Sequence, residues 1–534
     1  MKKDVFALLL ALFVSVTVIH ADVISGTCGA EGDNLTWELD DYGNMTIKGS
    51  GDMQNYESYA PWHDHYVRSL TVEKGVTSIG RIAFIEAQLE IINLSSTVVR
   101  IGEAAFERCG NLTYLQLPEN LQIIEFGAFQ GDTLLESVGL PNSVDSVGWY
   151  AFAQCKALTE PIYNDHLFAR LPMSHIGNYT LPDGIVKIAG TAFETCEKLS
   201  NIIFSSSVKE IGTMAFSYCS ALTTVDLSPS IEIVGSDAFY GCNNLTNAHI
   251  GKNVKKILYN PFEYCEQFTT FTLDNENPYF VLENGLLYSN DKTQLILCPT
   301  AKRVSFTDLA PTITSVAPGA LRYTINVDSV AFPEGVKVLG DRALLGSSVK
   351  YIVLPSTLDS IGPYAICIYH QNFQTIVSYA QKPPKSTMLF GAYQTKPDTL
   401  YVPYGAGITY RNAEGWGKCP LIVEMDPVPE EPDSVYFVSY IDKDASILDT
   451  ESITLHLPAP TSFSGFTFLR WDVVAGQLED GIVLQAVYEA DDPTSAPEVY
   501  TNPSNRAQKL IRNGNVYILT DDSRTYTVTG QEVK

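Results

Sequence analysis

Ile101-Gly102-Glu103-Ala104-Ala105-Phe106-Glu107-Arg108-Cys109-Gly110-Asn111-Leu112, followed by Leu115, Leu117 and Pro118, is one copy of a phrase that recurs along the chain. Its skeleton, Ile-Gly-x-x-Ala-Phe-x-x-Cys-x-x-Leu, returns at Ile211-Gly212, Ala215-Phe216, Cys219 and Leu222. The Phe falls at Phe84, Phe106, Phe129, Phe152, Phe193, Phe216, Phe239 and Phe262, in steps of 22, 23, 23, 41, 23, 23 and 23 residues. A fixed period of this length marks stacked repeats. One unit is too small to bury its own apolar side, so each turn lends that side to its neighbours and the stack becomes one elongated core.

Within the unit, Gly102 suits a tight corner, and Ala105-Phe106 suits a short helical turn that drops Phe into the core. Leu115 and Leu117 alternate as on a half-buried strand, which Pro118 stops because it cannot donate to a ladder. The residues between the leucines face out, and successive turns merge them into a sheet. Two places break the rhythm. The step of 41 equals one turn plus 18 residues, an insertion near 160–180. The step of 59 between Phe262 and Leu321 holds an insertion near 274–312, where apolar runs around Ser289-Asn290-Asp291-Lys292 read as a β-hairpin. Turns resume at Ala320-Leu321, Ala343-Leu344 and Ala365-Ile366, giving about eleven phrase-bearing turns, enough for stability by stacking.

Solenoid ends need caps. Residues 22–75, with Leu35-Thr36-Trp37-Glu38-Leu39 and Met45-Thr46-Ile47, read as an N-terminal β cap before a solenoid over 76–375, and 376–425 read as a C-terminal cap anchored by Trp416. The Pro-rich, acidic stretch 426–434 reads as a stiff linker, 435–490 as a compact β domain, 491–503 as a second linker and 504–534 as a hairpin-like end.

The chain carries 61 acidic against 35 basic residues, a net charge of −26, and no Lys/Arg cluster. That charge disfavours nucleic acid and anionic lipid as partners. Residues 1–21, with Lys2-Lys3 before an apolar run and Ala21 at a plausible cleavage point, read as a secretory signal. No other stretch approaches the ~20 apolar residues of a membrane span. Six of the ten cysteines, Cys109, Cys155, Cys196, Cys219, Cys242 and Cys265, share one repeat position, and Asp132 takes it once. Neighbouring turns bring such thiols within bridging range, but Cys packs readily as a small buried hydrophobe, and a reduced ladder is the expectation.

The phrase, continued as Leu-x-x-Leu-x-Leu-Pro, resembles the BspA-like class of bacterial leucine-rich repeats, named for surface proteins of oral and gut Bacteroidota and spirochaetes. The likeness covers residues 23–425, from Ser25-Gly26-Thr27-Cys28-Gly29 to Leu400-Tyr401-Val402-Pro403 and Gly415-Trp416, with Leu or Ile replacing Phe in the last three turns. It implies a leucine-rich repeat solenoid, β-rich with short helical turns. Residues 435–490, through Gly465-Phe466-Thr467-Phe468-Leu469-Arg470-Trp471, are similar to the β-grasp-like repeats of Listeria and Bacteroides surface proteins, although Arg470 stands where that pattern has Gly. Residues 504–534 resemble C-terminal segments associated with type IX secretion sorting. The resemblance implies secretion or attachment to the outer membrane or cell surface, and adhesion to a host or matrix protein or glycan. The anchoring route stays open between sorting, lipidation and free secretion.

Nucleophile elbows, phosphate-binding Gly loops and His-Glu-x-x-His are absent from the sequence. His63-Asp64-His65 would share a face as strand neighbours but lacks a visible third ligand for zinc. No cofactor, metal or catalytic residue is therefore expected, and the chain reads as a monomeric, non-enzymatic binder. Candidate ligand contacts are the outward strand residues Tyr114 and Gln116, Glu136, Asn201, Thr224 and Asp226, Asn247 and His249, and Thr270 and Thr272, which combine amphipathic contact area with adaptable hydrogen bonding. The alternative is a structural stalk presenting the C-terminal β domain, and a further one a carbohydrate-active enzyme, whose paired carboxylates sequence cannot reveal.

Overall fold

The computed structural model describes residues 23–227, 230–303, 309–368, 373–390 and 396–425, and beyond them the backbone of short strands between 440 and 533. The chain winds into a β-solenoid of about 16 turns with almost no helix. Each regular coil lays down two short strands. One, such as Tyr114–Gln116 or Thr224–Asp226, carries the Leu-x-Leu pattern; the other, such as Ile123–Ile124 or Ile233–Val234, carries the residue before the phrase Gly. Every coil runs the same way round, so equivalent strands pair in parallel. Thr224 stands beside Asn247 and then Thr270 on one face, and Glu210 beside Ile233 and then Lys256 on the other.

The segment around Ala-Phe is a turn with left-handed backbone at two points, not a helical one. Ala104 has φ 49° and Arg108 φ 60°, and the pair recurs at Met214 (55°) and Tyr218 (59°). Such a conformation costs a non-glycine residue roughly 1–2 kcal/mol. Hydrogen bonds between coils offset it: the N–H groups of Ala104, Phe106 and Arg108 donate to the carbonyls of Phe126, Ala128 and Gln130, each at 2.8 Å. Gly102 also has a different task from the expected corner. Its φ is not left-handed, but a Cβ there would lie 2.8 Å from the Arg81 nitrogen and the Ile79 oxygen of the preceding coil, so glycine is needed for close approach of backbones.

The core is a set of columns. Trp62 heads the aromatic one, 5.3 Å from Phe84, and Phe84, Phe106, Phe129 and Phe152 follow with ring centroids 5.3–5.4 Å apart. All ten cysteines are free and buried. The thiols of Cys109, Cys219, Cys242 and Cys265 donate to the Phe carbonyl of the preceding coil at 3.1–3.2 Å, which explains why a small donor recurs there. Burial pushes Cys155 up to about 12 and Cys196 up to about 11, leaving little of the reactive thiolate. A thiol reagent at pH 8 should therefore label the native protein negligibly and all ten cysteines after unfolding; rapid labelling of the folded protein would contradict the buried ladder.

Both interruptions keep the stack intact. In the first, Leu167–Arg170 pairs antiparallel with Ile162–Tyr163 and parallel with Lys187–Ile188, forming a reduced coil without an Ala-Phe turn. The turns on either side then meet directly, and the Tyr150 N–H donates to Thr191 Oγ1 at 2.8 Å. Arg170, 3% exposed, fastens this seam by donating to the Thr191 and Glu194 carbonyls at 2.6 and 3.0 Å. In the second, Leu286–Ser289 and Gln294–Leu297 form the expected antiparallel hairpin, Phe280–Glu283 adds a third strand, and Gln294–Leu297 rejoins the stack beside Ser315–Val316.

At the N-terminal end Asn44–Gly49 pairs antiparallel with Gly32–Leu39 but parallel with Ser69–Val72. Parallel stacking thus begins inside 22–75, before the start expected at 76. At the other end Thr375–Ser378, Thr399–Val402 and Leu421–Glu424 prolong the strand face beyond the last phrase. Gly407–Asn412 is the one α-helix among the described residues. The signal reading of 1–21 and the linker readings of 426–434 and 491–503 lie outside the described residues, as do most of the β-grasp-like and sorting-like stretches. The strands described there include Phe466–Val473, antiparallel to Val483–Ala490, which pairs in turn with Gln508–Arg512.

Candidate functional site

Alternation along the strands fixes which side chains face out. In the coils at 224–226, 247–250 and 270–273, the buried residues are Val225, Ala248, Ile250 and Phe271, so the residues between and beside them project from the stack. Register then assembles a lattice of two rows: Thr224, Asn247 and Thr270 in one, Asp226, His249 and Thr272 in the other. Rows repeat at the ~4.8 Å interstrand distance. His249 Nδ1 lies 3.0 Å from Thr272 Oγ1, so the second row is internally hydrogen-bonded. Thr224, Asp226, Thr270 and Thr272 are exposed, Asn247 and His249 half-buried.

The other expected contacts stand apart from this lattice. Tyr114, 56% exposed, donates its hydroxyl to Gln116 Oε1 at 2.8 Å on a strand paired with Ser137–Gly139. Glu136 is exposed but precedes that strand, and Ser137 occupies the register position beside Tyr114. Val138 stands in this coil where the phrase has its middle leucine, and Ser137 rather than Glu136 takes the outward strand position. Asn201 is half-buried and pairs with Asn178 beyond the reduced coil. His63-Asp64-His65 lies in a turn rather than a strand, with His63 stacked on Tyr59 at 3.6 Å. Among the described residues no group of three His, Cys, Asp or Glu side chains is gathered as a metal site.

The two carboxyls raised furthest are internal. Burial pushes Glu263 up to about 9 although Arg322 Nη1 lies 2.5 Å from its Oε2. Burial likewise raises Asp132 to about 9, and Asp132 Oδ1 accepts the Cys109 N–H at 2.8 Å. Both belong to packing between coils.

One feature escaped the sequence reading. On the edge formed by the Ala-Phe turns, Tyr218, Tyr240, Tyr264 and Tyr323 form a continuous file, with centroid separations of 5.3, 5.1 and 4.1 Å. Tyr218 lies along Gly241 and Tyr323 along Gly346, where an added Cβ would come within 2.8 and 2.3 Å of the rings. An aromatic residue shortly after the phrase Phe, with glycine at the matching place one turn on, is the signal that could have found it.

The family described as a BspA type leucine rich repeat region matches residues 57–169, 164–283 and 299–380, in 6 copies that cover more than half of the 534 residues. The chain belongs to the BspA-type leucine-rich repeat family. Solved structures similar to this BspA-type chain include a leucine-rich repeat protein from Eubacterium ventriosum, at 19% identity over 76% of this chain and 85% of that one, with a TM-score of 0.37. The pneumococcal vaccine antigen PcpA is 17% identical over 72% and 82%, with a TM-score of 0.33. A leucine rich cell surface protein from Faecalibacterium prausnitzii is 18% identical over 76% and 96%, also with a TM-score of 0.33. Likenesses this distant carry nothing about a ligand. A comparison with curated proteins finds no match. Among the described residues no helix of this BspA-type chain is long and apolar enough to cross a membrane.

Proposed function

We propose that the protein is an exported cell-surface binding protein that holds an extracellular protein or glycan against the outward strand face of its solenoid. The observation that carries this reading is the lattice of Thr224, Asp226, Asn247, His249, Thr270 and Thr272, six hydrogen-bonding side chains held in register on a rigid sheet. Side chains fixed in this way lose little freedom when a partner docks, which favours binding. Membership of the BspA-type leucine-rich repeat family supports the location.

The test is a screen of the chain against an array of matrix proteins and glycans, repeated with the triple variant Asp226→Ala, His249→Ala, Thr272→Ala. A protein hit should weaken by roughly tenfold or more, since a few residues dominate an interface. Unchanged affinity in the variant removes the strand face from the reading. Binding that depends instead on residues 435–534 favours the stalk alternative.

A further inference from the structure

The tyrosine file lies outside both strand ladders and needs an account of its own. Tyr218 is 45% and Tyr264 39% exposed, with Tyr240 and Tyr323 half-buried between and beyond them. Because the glycines at 241 and 346 let rings lie down along the stack, the file runs along the edge of the solenoid with one ring per Ala-Phe-type turn, Tyr264 meeting Tyr323 across the inserted coil. Coil spacing follows the ~4.8 Å interstrand repeat, which is close to the advance of one sugar along an extended β-1,4-linked chain. Aromatic faces pack against the C–H faces of pyranoses while the phenol oxygens accept or donate hydrogen bonds.

Three further observations narrow the ligand. Arg322, whose side chain is only 16% exposed, has Nη1 2.5 Å from Glu263 Oε2 and its guanidinium carbon 5.2 Å from the rings of Tyr259 and Tyr323, so its charge is largely enclosed rather than offered on the outer side of the file. The net charge of −26 repels anionic polymers. Backbone donors along the file are engaged within the protein, Tyr218 N–H with the Tyr240 carbonyl at 2.7 Å, Tyr240 N–H with the Asp237 carbonyl at 2.9 Å and Tyr323 N–H with the Leu345 carbonyl at 2.9 Å, which disfavours pairing by an added peptide strand. Successive rings are rotated by 76°, 59° and 34°, so they make no single plane for a crystalline surface.

We propose that the file Tyr218, Tyr240, Tyr264 and Tyr323 is a binding site for one soluble chain of a neutral, extended β-1,4-linked polysaccharide, with about one sugar per ring. This site is separate from the strand face and stands or falls apart from it.

Affinity electrophoresis of the full chain tests the site, with hydroxyethylcellulose and galactomannan as β-1,4-linked probes, soluble starch as the coiled α-linked control and sodium alginate as the anionic one. Retardation is expected with the first two alone. The double variant Tyr218→Ala, Tyr264→Ala should weaken it by roughly tenfold, whereas Tyr218→Phe, Tyr264→Phe should keep most of it. The Asp226, His249, Thr272 triple variant should leave it intact. The proposal is overturned by absence of retardation with both β-1,4-linked probes, by equal retardation in starch or alginate, by retardation that survives loss of both rings, or by Phe variants that fail as badly as the Ala ones. If the triple variant alone abolishes retardation, the strand face is the glycan site and the file is not.

Discussion

Replacing Phe216 with alanine should lower the unfolding free energy by about 3–5 kcal/mol, the cost of deleting a fully buried aromatic side chain. Phe216 has no exposed surface, and its ring is stacked between Phe193 at 4.5 Å and Phe239 at 5.1 Å, with Phe204 against its edge at 5.9 Å. Deletion therefore removes contacts to the coils on both sides at once. In a quasi-one-dimensional stack, stability is a sum of unit and neighbour interfaces, so two interfaces weaken together. The coil has little means of closing the gap, because its turn is held by hydrogen bonds from Phe216 N–H to the Ala238 carbonyl and from Phe193 N–H to the Ala215 carbonyl, both 2.7 Å. Chemical denaturation of the variant, with amide hydrogen exchange to locate the loss, checks this. A change under ~1 kcal/mol would show that the column is slack rather than close-packed.

Asp132→Asn should stabilise the protein, and by more as pH rises. Asp132 has no exposed surface and occupies the cysteine position of its coil. Its Oδ1 accepts the Cys109 N–H at 2.8 Å. Burial, offset only in part by that hydrogen bond, lifts its pKa from 3.8 to about 9. The folded chain thus keeps a proton that the unfolded chain releases above pH ~4, so between those two values the unfolded state binds fewer protons and stability falls with rising pH. Below pH ~4 both states are protonated and the penalty vanishes. Three pH units of this slope come to roughly 4 kcal/mol at pH 7. Asparagine keeps the acceptor and cannot ionise, so the variant should match the parent near pH 4 and melt progressively higher toward pH 8. The remaining groups that face this site are Cys109, Cys155 and Glu107. A constant difference in melting temperature between pH 4 and 8 would assign Asp132 a role that does not involve its proton.

The outward lattice was readable from sequence wherever a phrase gave the phase. Leu222, Val225 and Leu227 fix the strand between them, and Thr224 and Asp226 fall outward by alternation alone. Where the phrase weakens, so does the reading. In the coil at 137–139 Val138 stands in place of the inward Leu, and the outward strand residue is Ser137 rather than Glu136. The Ala-Phe turn looked helical because small and large apolar residues in sequence do not distinguish a helical turn from one whose backbone turns left-handed twice. Its conformation follows from hydrogen bonds to the next coil, which are long-range.

The solenoid, its buried columns of Phe, Cys and Leu, and the places where the period breaks are all legible in the order of residues, because a fixed repeat forces every equivalent side chain into the same environment. What happens across the breaks is visible in the folded chain alone. Tyr150 meets Thr191 across 41 residues through a 2.8 Å hydrogen bond, and Tyr264 meets Tyr323 across 59 residues with their rings 4.1 Å apart. An insertion can loop out, end the stack or be absorbed as a shortened coil, and these outcomes differ in backbone pairing rather than in side-chain pattern. Such pairing is settled by which N–H and C=O groups find partners once the coils stack, and so the tyrosine file, unlike the columns, exists only in the folded chain.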